Sequence, residues 1–311
     1  MEKKITVALL SGGTSSEREV SLSGGEQVYQ ALDKEKYTVF RYDPKTDIAR
    51  LVADAPEIDM ALVILHGTHG EDGSVQGLLD LLHIPYQCSG ILGSATAINK
   101  LSSKFLYAQH NIPTPGFMSI HQNDAVDADT CIDRIGLPLV VKPVCGGSSI
   151  GMTVVHAKND LISALDNAFA HDETVLLEAY IKGTEITGAV IGNKNPEALP
   201  IIEIVPKNTH AFFDYQAKYT AGETEEICPA RISDQLTRRA QKLAKQSHDA
   251  LFCKGYSRTD MMVNGTDIYV LETNTIPGMT ACSLLPLAAE KAGMNFSQLI
   301  DRLIELALNS Q

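Results

Sequence analysis

In the N-terminal third of the chain, apolar runs alternate with stretches of helical period, and this alternation restricts the fold more than any other feature. "KKITVALL" passes through the Gly-rich "SGGTSSE" into "REVSLSGGEQVYQAL", which reads as strand, loop and helix. "IDMALVIL" is a second buried strand and leads into the loop "HGTHGEDG". "SVQGLLDLLH" then sets Val75, Leu78, Leu79 and Leu82 at helical spacing. Strands alternating with helices, with few hairpin signals, predict a parallel α/β layer. In such layers ligands gather at the carboxyl ends of the strands, where both Gly-rich loops fall.

"HNIPTPG" carries two prolines and a glycine and reads as a joint. Beyond it, "LPLVVKPV" is a strand ending near Lys142, "GGSSIG" is a Gly/Ser loop, and "ETVLLEAYIKGTE" is a strand entering a turn. Short strands follow, then a helix over "DQLTRRAQKLAKQSHDALF". The last element, "FSQLIDRLIELAL", is amphipathic, with Leu299, Ile300, Leu303 and Leu306 on one side. A chain of 311 residues has room for two or three domains of roughly 100–200 residues each. No apolar run approaches the ~18 residues of a membrane span, and "MEKKITVALL" enters a strand without a cleavage site. A soluble, cytoplasmic protein is expected. The net charge of −12 argues against nucleic acid as the main partner. The six cysteines lack CxxC spacing, which predicts reduced, mostly buried thiols.

Chemistry concentrates in "YSRTDMMVNGTDIYVLETNTIPGM", two strands joined through Asn264-Gly265. Arg258 and Asp260 share one face of their strand, as do Glu272 and Asn274. A strict two-residue loop at Asn264-Gly265 would pair Asp260 with Tyr269, on the opposite face from Glu272. A three-residue loop or a bulge would pair Asp260 with Val270 and Arg258 with Glu272, bringing all four together. Two carboxylates and an amide so gathered suit one or two Mg²⁺ ions, and Arg258 suits an oxyanion or phosphate. The plainer alternative is an exposed hairpin with a surface Asp260–Arg258 pair.

Lys142 and the run Gly146, Gly147, Ser148, Ser149 supply a backbone able to approach phosphate closely, although the Walker A order is missing. His66, His69 and Glu71 hint at zinc. Glycines 67 and 70 break any helix that would align the two imidazoles, and no third His or Cys ligand follows. Glu17, at the start of a helix, also suits a simple partnership with the helix dipole.

Seven segments, "GGTSSEREVSL", "LHGTHGEDGSVQG", "NKLSSK", "VVKPVCGGSSIGM", "FFDYQAKY", "GYSRTDMM" and "LETNTIPGMTACSLLP", occur in an order and spacing that resemble the D-alanine–D-alanine ligases of the ATP-grasp superfamily. The resemblance covers essentially the whole chain. It implies an N-terminal doubly wound α/β domain (1–98, pre-ATP-grasp), followed by central (99–182) and C-terminal (183–311) ATP-grasp subdomains. It further implies ATP-driven joining of two D-alanines through an acyl phosphate for cell-wall precursor synthesis, with Mg²⁺ or Mn²⁺ in its place, and a homodimer. By the same resemblance, Lys100, Lys142, Glu178, Ile181, Glu185 and Lys218 match ATP contacts, and Asp260, Glu272 and Asn274 match metal ligands. Arg258 and the Gly278 N–H match an oxyanion hole. Glu17, with His66 near it, matches the group that holds the first D-alanine, and Ser148 and Tyr219 match its hydrogen-bonded companions. Ser283 and Leu284 match the positions for the second D-alanine's carboxylate.

Two features bear on how far the resemblance carries. Relatives often have a charged residue before "GSS", where this chain has the uncharged Cys145-Gly146. Relatives that join D-alanine to D-lactate tend to replace the tyrosine matched by Tyr219, so its presence favours the dipeptide. A depsipeptide or other carboxylate–amine ligase is the alternative of the same class, and a metal hydrolase built on His66, His69 and Glu71 is the alternative of another class.

Overall fold

The computed structural model describes residues 3–206 and 224–309. Strands β1 (Ile5–Ser11), β2 (Tyr37–Tyr42) and β3 (Met60–Ile64) form a parallel sheet in the order β2-β1-β3. Helices α1 (Arg18–Ala31), α2 (Ile48–Asp54), α3 (Ser74–Leu81), α4 (Ile91–Ile98) and α5 (Lys100–Gln109) follow or separate these strands. Val7 to Leu10 and Met60 to Ile64 are buried without alternation, as expected of a parallel sheet covered on both faces.

Past the joint the architecture changes. Strands β4 (Phe117–His121), β5 (Leu139–Pro143), β6 (Thr153–Val155) and β7 (Thr174–Ala179) make an antiparallel sheet in the order β4-β7-β5-β6, with helices α6 (Ala128–Ile135) and α7 (Leu161–Phe169). The third sheet, β11-β10-β8-β12-β13 with β9 on β8, is also antiparallel. It comprises β8 (Thr184–Ile191), β9 (Glu197–Ala198), β10 (Ile202–Pro206), β11 (Thr224–Ile227), β12 (Tyr256–Asn264) and β13 (Asp267–Asn274). The parallel layer is therefore confined to the N-terminal part. Helix α8 (Asp234–Ala250) packs Ala240, Leu243 and Ala244 into one core with Met261, Val263 and Val270.

Helices α9 (Leu284–Lys291) and α10 (Phe296–Leu308) return to the first sheet. Leu299, Ile300, Leu303, Ile304 and Ala307 of α10 join the core formed by Val7, Leu9 and Ile64. The buried stripe is centred slightly differently from the expected one, because Ile304 and Ala307 face inward and Leu306 is only half-buried. All six cysteines are free; Cys88, Cys131 and Cys253 are buried, whereas Cys145 and Cys282 are exposed. No helix among the described residues is long and apolar enough to cross a membrane.

The β12–β13 hairpin settles the register question. Asn264 pairs with Asp267, so the turn is Gly265-Thr266, with Gly265 at φ +59°. Met261 pairs with Val270, and the ladder then shifts so that Asp260 meets Glu272 and Arg258 meets Asn274. Leu271 is the extra residue of a β-bulge. A bulge does unite the polar groups, but the pairs differ from the expected Asp260–Val270 and Arg258–Glu272, because the turn sits one residue later and the bulge lies inside the strand.

Gly255 sets where β12 begins. Its φ is +69°, and a Cβ there would lie 1.8 Å from the Gln87 carbonyl oxygen, a backbone atom that cannot step aside. Gly255→Ala is expected to destabilise the fold by about 2–3 kcal/mol through overpacking and left-handed strain. Thermal melting at fixed protein concentration should show a midpoint several degrees lower, and an unchanged midpoint would contradict this reading.

Candidate active site

A cavity of about 380 Å³ opens between the second and third sheets. Lys100, Lys142, Glu178 and Ile181 line it from the central part of the chain, and Glu185 of β8 with Asp260 and Glu272 of the hairpin line it from the third sheet. The loop Gly146–Ser149 forms one lip. Ser148 and Ser149 both adopt left-handed backbone, φ +54° and +57°, which non-glycine residues hold only when their surroundings enforce it. Lys218 and Tyr219 lie outside the described residues.

Glu178 is fully enclosed and forms ion pairs with both Lys142 and Lys104. Burial works to raise its pKa, but the two ammonium groups overcome this and hold the carboxyl below its usual range. Lys104 is buried, and that burial brings its pKa down to about 8 despite the Glu178 charge. Lys100 donates to the Gly146 carbonyl at 2.6 Å and stands 3.5 Å from Glu272, tying the loop to the hairpin.

Asp260 is almost wholly buried. It accepts two bonds from Arg258, at 3.0 and 2.9 Å, one from Thr187 at 2.6 Å, and one from the Asn274 amide at 3.3 Å. The Asp260–Arg258 pair of the plainer reading thus exists, but at a cavity wall rather than on an open surface. Asp260, Glu272 and Asn274 converge, and their hard oxygen atoms fit a divalent cation such as Mg²⁺.

Glu17 occupies the N-cap position of α1 but makes no side-chain cap. Its carboxylate instead accepts a bond from the Ser148 hydroxyl, across from the first sheet to the Gly/Ser loop. It lies close to Gly67 and Gly147, where added Cβ atoms would stand 3.3 Å away. His66 is buried beside it. Burial lowers the imidazole pKa, and the Glu17 charge opposes that effect. Glu71 accepts from the Gly67 N–H at 2.7 Å, and burial pushes its carboxyl up to about 8. Glu71, Lys100, Gly147, Glu272 and Asn274 share a small cavity of about 30 Å³ that borders the large one. His69, by contrast, is exposed and bonded to Thr14, so the two histidines do not act together. Among the described residues no group of three or more His, Cys, Asp or Glu is arranged to hold a metal.

Gly278 packs against Ser283, whose hydroxyl would be 2.9 Å from an added Cβ. Ser283 is the N-cap of α9, bonded to Thr280, and Leu284 is the buried first residue of that helix. Sequence reasoning missed Lys104 and the role of Glu71. The signal for Lys104 was its i+4 spacing from Lys100 within "NKLSSK".

Residues 106–305 match the family model described as D-ala D-ala ligase C-terminus, and residues 43–89 match D-ala D-ala ligase N-terminus. The chain belongs to the D-alanine–D-alanine ligase family. A relative of that name from Syntrophobacter fumaroxidans is 58% identical over 306 residues, covering 98% of each chain. The crystal structure of D-alanine–D-alanine ligase from Bacillus anthracis complexed with ATP aligns with a TM-score of 0.86 at 38% identity, over 98% of this chain and 97% of that one. VanG D-Ala:D-Ser ligase from Enterococcus faecalis aligns at 0.85 and 30% identity, over 98% and 100%. The family's mixed α/β architecture thus extends over nearly all of this chain, and the hydrolase alternative finds no support.

Proposed function

We propose that the protein joins two D-alanines into D-alanyl-D-alanine for peptidoglycan precursors, converting ATP to ADP and phosphate. The observation that carries this is the meeting of Asp260 and Glu272 with Lys142 around one cavity, with Arg258 bonded to Asp260 and a Glu17 carboxylate that accepts from Ser148 of the loop at its lip. The cavity takes the nucleotide, with Glu178 and Ile181 toward the adenine and Glu185 toward the ribose. Lys100 and Lys142 meet the phosphates. Asp260, Glu272 and Asn274 would hold Mg²⁺, or Mn²⁺ in its place, which when bound neutralises charge on the triphosphate.

Glu17 pairs with the ammonium of the first D-alanine and leaves its carboxylate to attack the γ-phosphorus, giving an acyl phosphate and ADP. The amine of the second D-alanine then adds to the acyl carbon. Arg258 and the Gly278 N–H stabilise the oxyanion that forms, and collapse expels phosphate. Ser283 and Leu284 hold the second substrate's carboxylate. Lys218 and Tyr219 belong to the loop that completes the site and excludes water. Division at 1–98, 99–182 and 183–311, a homodimer and a cytoplasmic location complete the proposal; each span contains one of the three sheets.

Incubation with ATP, Mg²⁺ and D-alanine should release dipeptide and phosphate in equal amounts, and L-alanine should give neither. D-serine and D-lactate arms decide the second substrate. Phosphate release without dipeptide, or a mixed product favoured over D-alanyl-D-alanine at equal concentrations, would refute the assignment.

A further inference from the structure

Helix α5 carries Lys100, Lys104 and Tyr107 at i, i+4 and i+7, on one face. Each fastens a different part of the cavity wall. Lys100 reaches Gly146 and Glu272. The Tyr107 hydroxyl donates to Thr273 at 2.8 Å. Lys104 does not reach the cavity at all; it lies behind Glu178, paired with that carboxylate, and donates to Thr114 at 2.6 Å. Thr114 in turn donates to the Val270 carbonyl at 2.8 Å, and the Val270 N–H donates to the Pro113 carbonyl at 2.7 Å. Val270 immediately precedes the bulged Leu271, which places Glu272 at the cavity. A continuous set of contacts therefore runs from Glu178 to the Glu272 strand without crossing the cavity.

A wholly buried ammonium is costly, and a methionine could fill the same space. Its effect on the wall explains why a charge sits there. Lys104, Lys142 and Glu178 together leave one net positive charge. Without Lys104, the remaining pair is neutral and Lys142 is drawn wholly to Glu178.

We propose that Lys104 is a positioning residue for the nucleotide: it neutralises Glu178 from behind, so that Lys142 keeps its charge for the anionic ligand. The inference rests on the reading of the cavity as an ATP site.

The test compares wild type, Lys104→Met, Glu178→Gln and the double variant. Binding of a non-hydrolysable ATP analogue is measured by calorimetry, and KM is measured for ATP and for D-alanine. Calorimetry needs no turnover, so wild type that binds the analogue but makes no dipeptide overturns the proposed reaction and leaves the Lys104 comparison intact. Lys104→Met should weaken analogue binding and raise KM for ATP by about tenfold or more, with KM for D-alanine changed less than about twofold. Because Lys104 acts through Glu178, its removal in the Glu178→Gln background should change analogue binding less than about threefold. Analogue binding by Lys104→Met equal to wild type overturns the proposal. So does parallel weakening for ATP and D-alanine, which marks a purely structural role. Should Lys104→Met fail to fold, the two Glu178→Gln proteins decide: similar binding supports the proposal, and a further tenfold loss overturns it.

Discussion

Arg258→Met is expected to lower kcat by about 10²–10³ while leaving KM for ATP nearly unchanged, the scale found when one preorganised oxyanion donor is removed. The guanidinium is held in a fixed direction by its two bonds to Asp260. Asp260 is itself fixed by Thr187 and Asn274, so the donors need no reorganisation when charge develops. Removal also takes a cation from Asp260, which could alter metal affinity instead. Raising Mg²⁺ separates the two: a kcat that stays low at saturating Mg²⁺ identifies lost oxyanion stabilisation, and full recovery would contradict it. Arg258→Lys keeps the charge but not the planar fork, and should recover only a small part of the rate.

The sequence made some parts of this arrangement legible and hid others for physical reasons. Buried strands β1 and β3 show as unbroken apolar runs because both faces are covered, and the α10 stripe shows because one face must be apolar. The β12–β13 register was only half legible. The spacing of Arg258, Asp260, Glu272 and Asn274 required an irregular hairpin, but two-residue periodicity cannot say where the extra residue goes. Contacts from Pro113 and Thr114 to Val270 lie beside that bulge, and they come from a segment far away in sequence. Antiparallel pairing of β5 with β6 and β7 was hidden for a similar reason: apolar strands joined by a long Gly/Ser loop or by a helix carry no mark of direction. The spacing of Lys104 from Lys100 was visible, but its burial was not, because a buried lysine and a surface lysine look the same in sequence.

Glu17→Gln should raise KM for the first D-alanine by about 10–100-fold, the range for losing a charge-assisted bond worth about 1.5–3 kcal/mol. KM for ATP should move less than about twofold. Glutamine keeps an oxygen to accept from Ser148, so the link between the α1 N-terminus and the Gly/Ser loop can persist while the charge is lost. Ser148→Ala does the opposite: it removes the link and keeps the charge. Its effect should fall more evenly on both substrates, because that loop lines the cavity proposed for the nucleotide. The two variants therefore separate ammonium recognition from loop positioning. Equal shifts in both KM values for Glu17→Gln would mean that the carboxylate serves the loop and not the substrate. The first D-alanine would then need another anion, and Glu71, whose carboxyl burial has pushed up to about 8, is poorly placed to supply one at neutral pH.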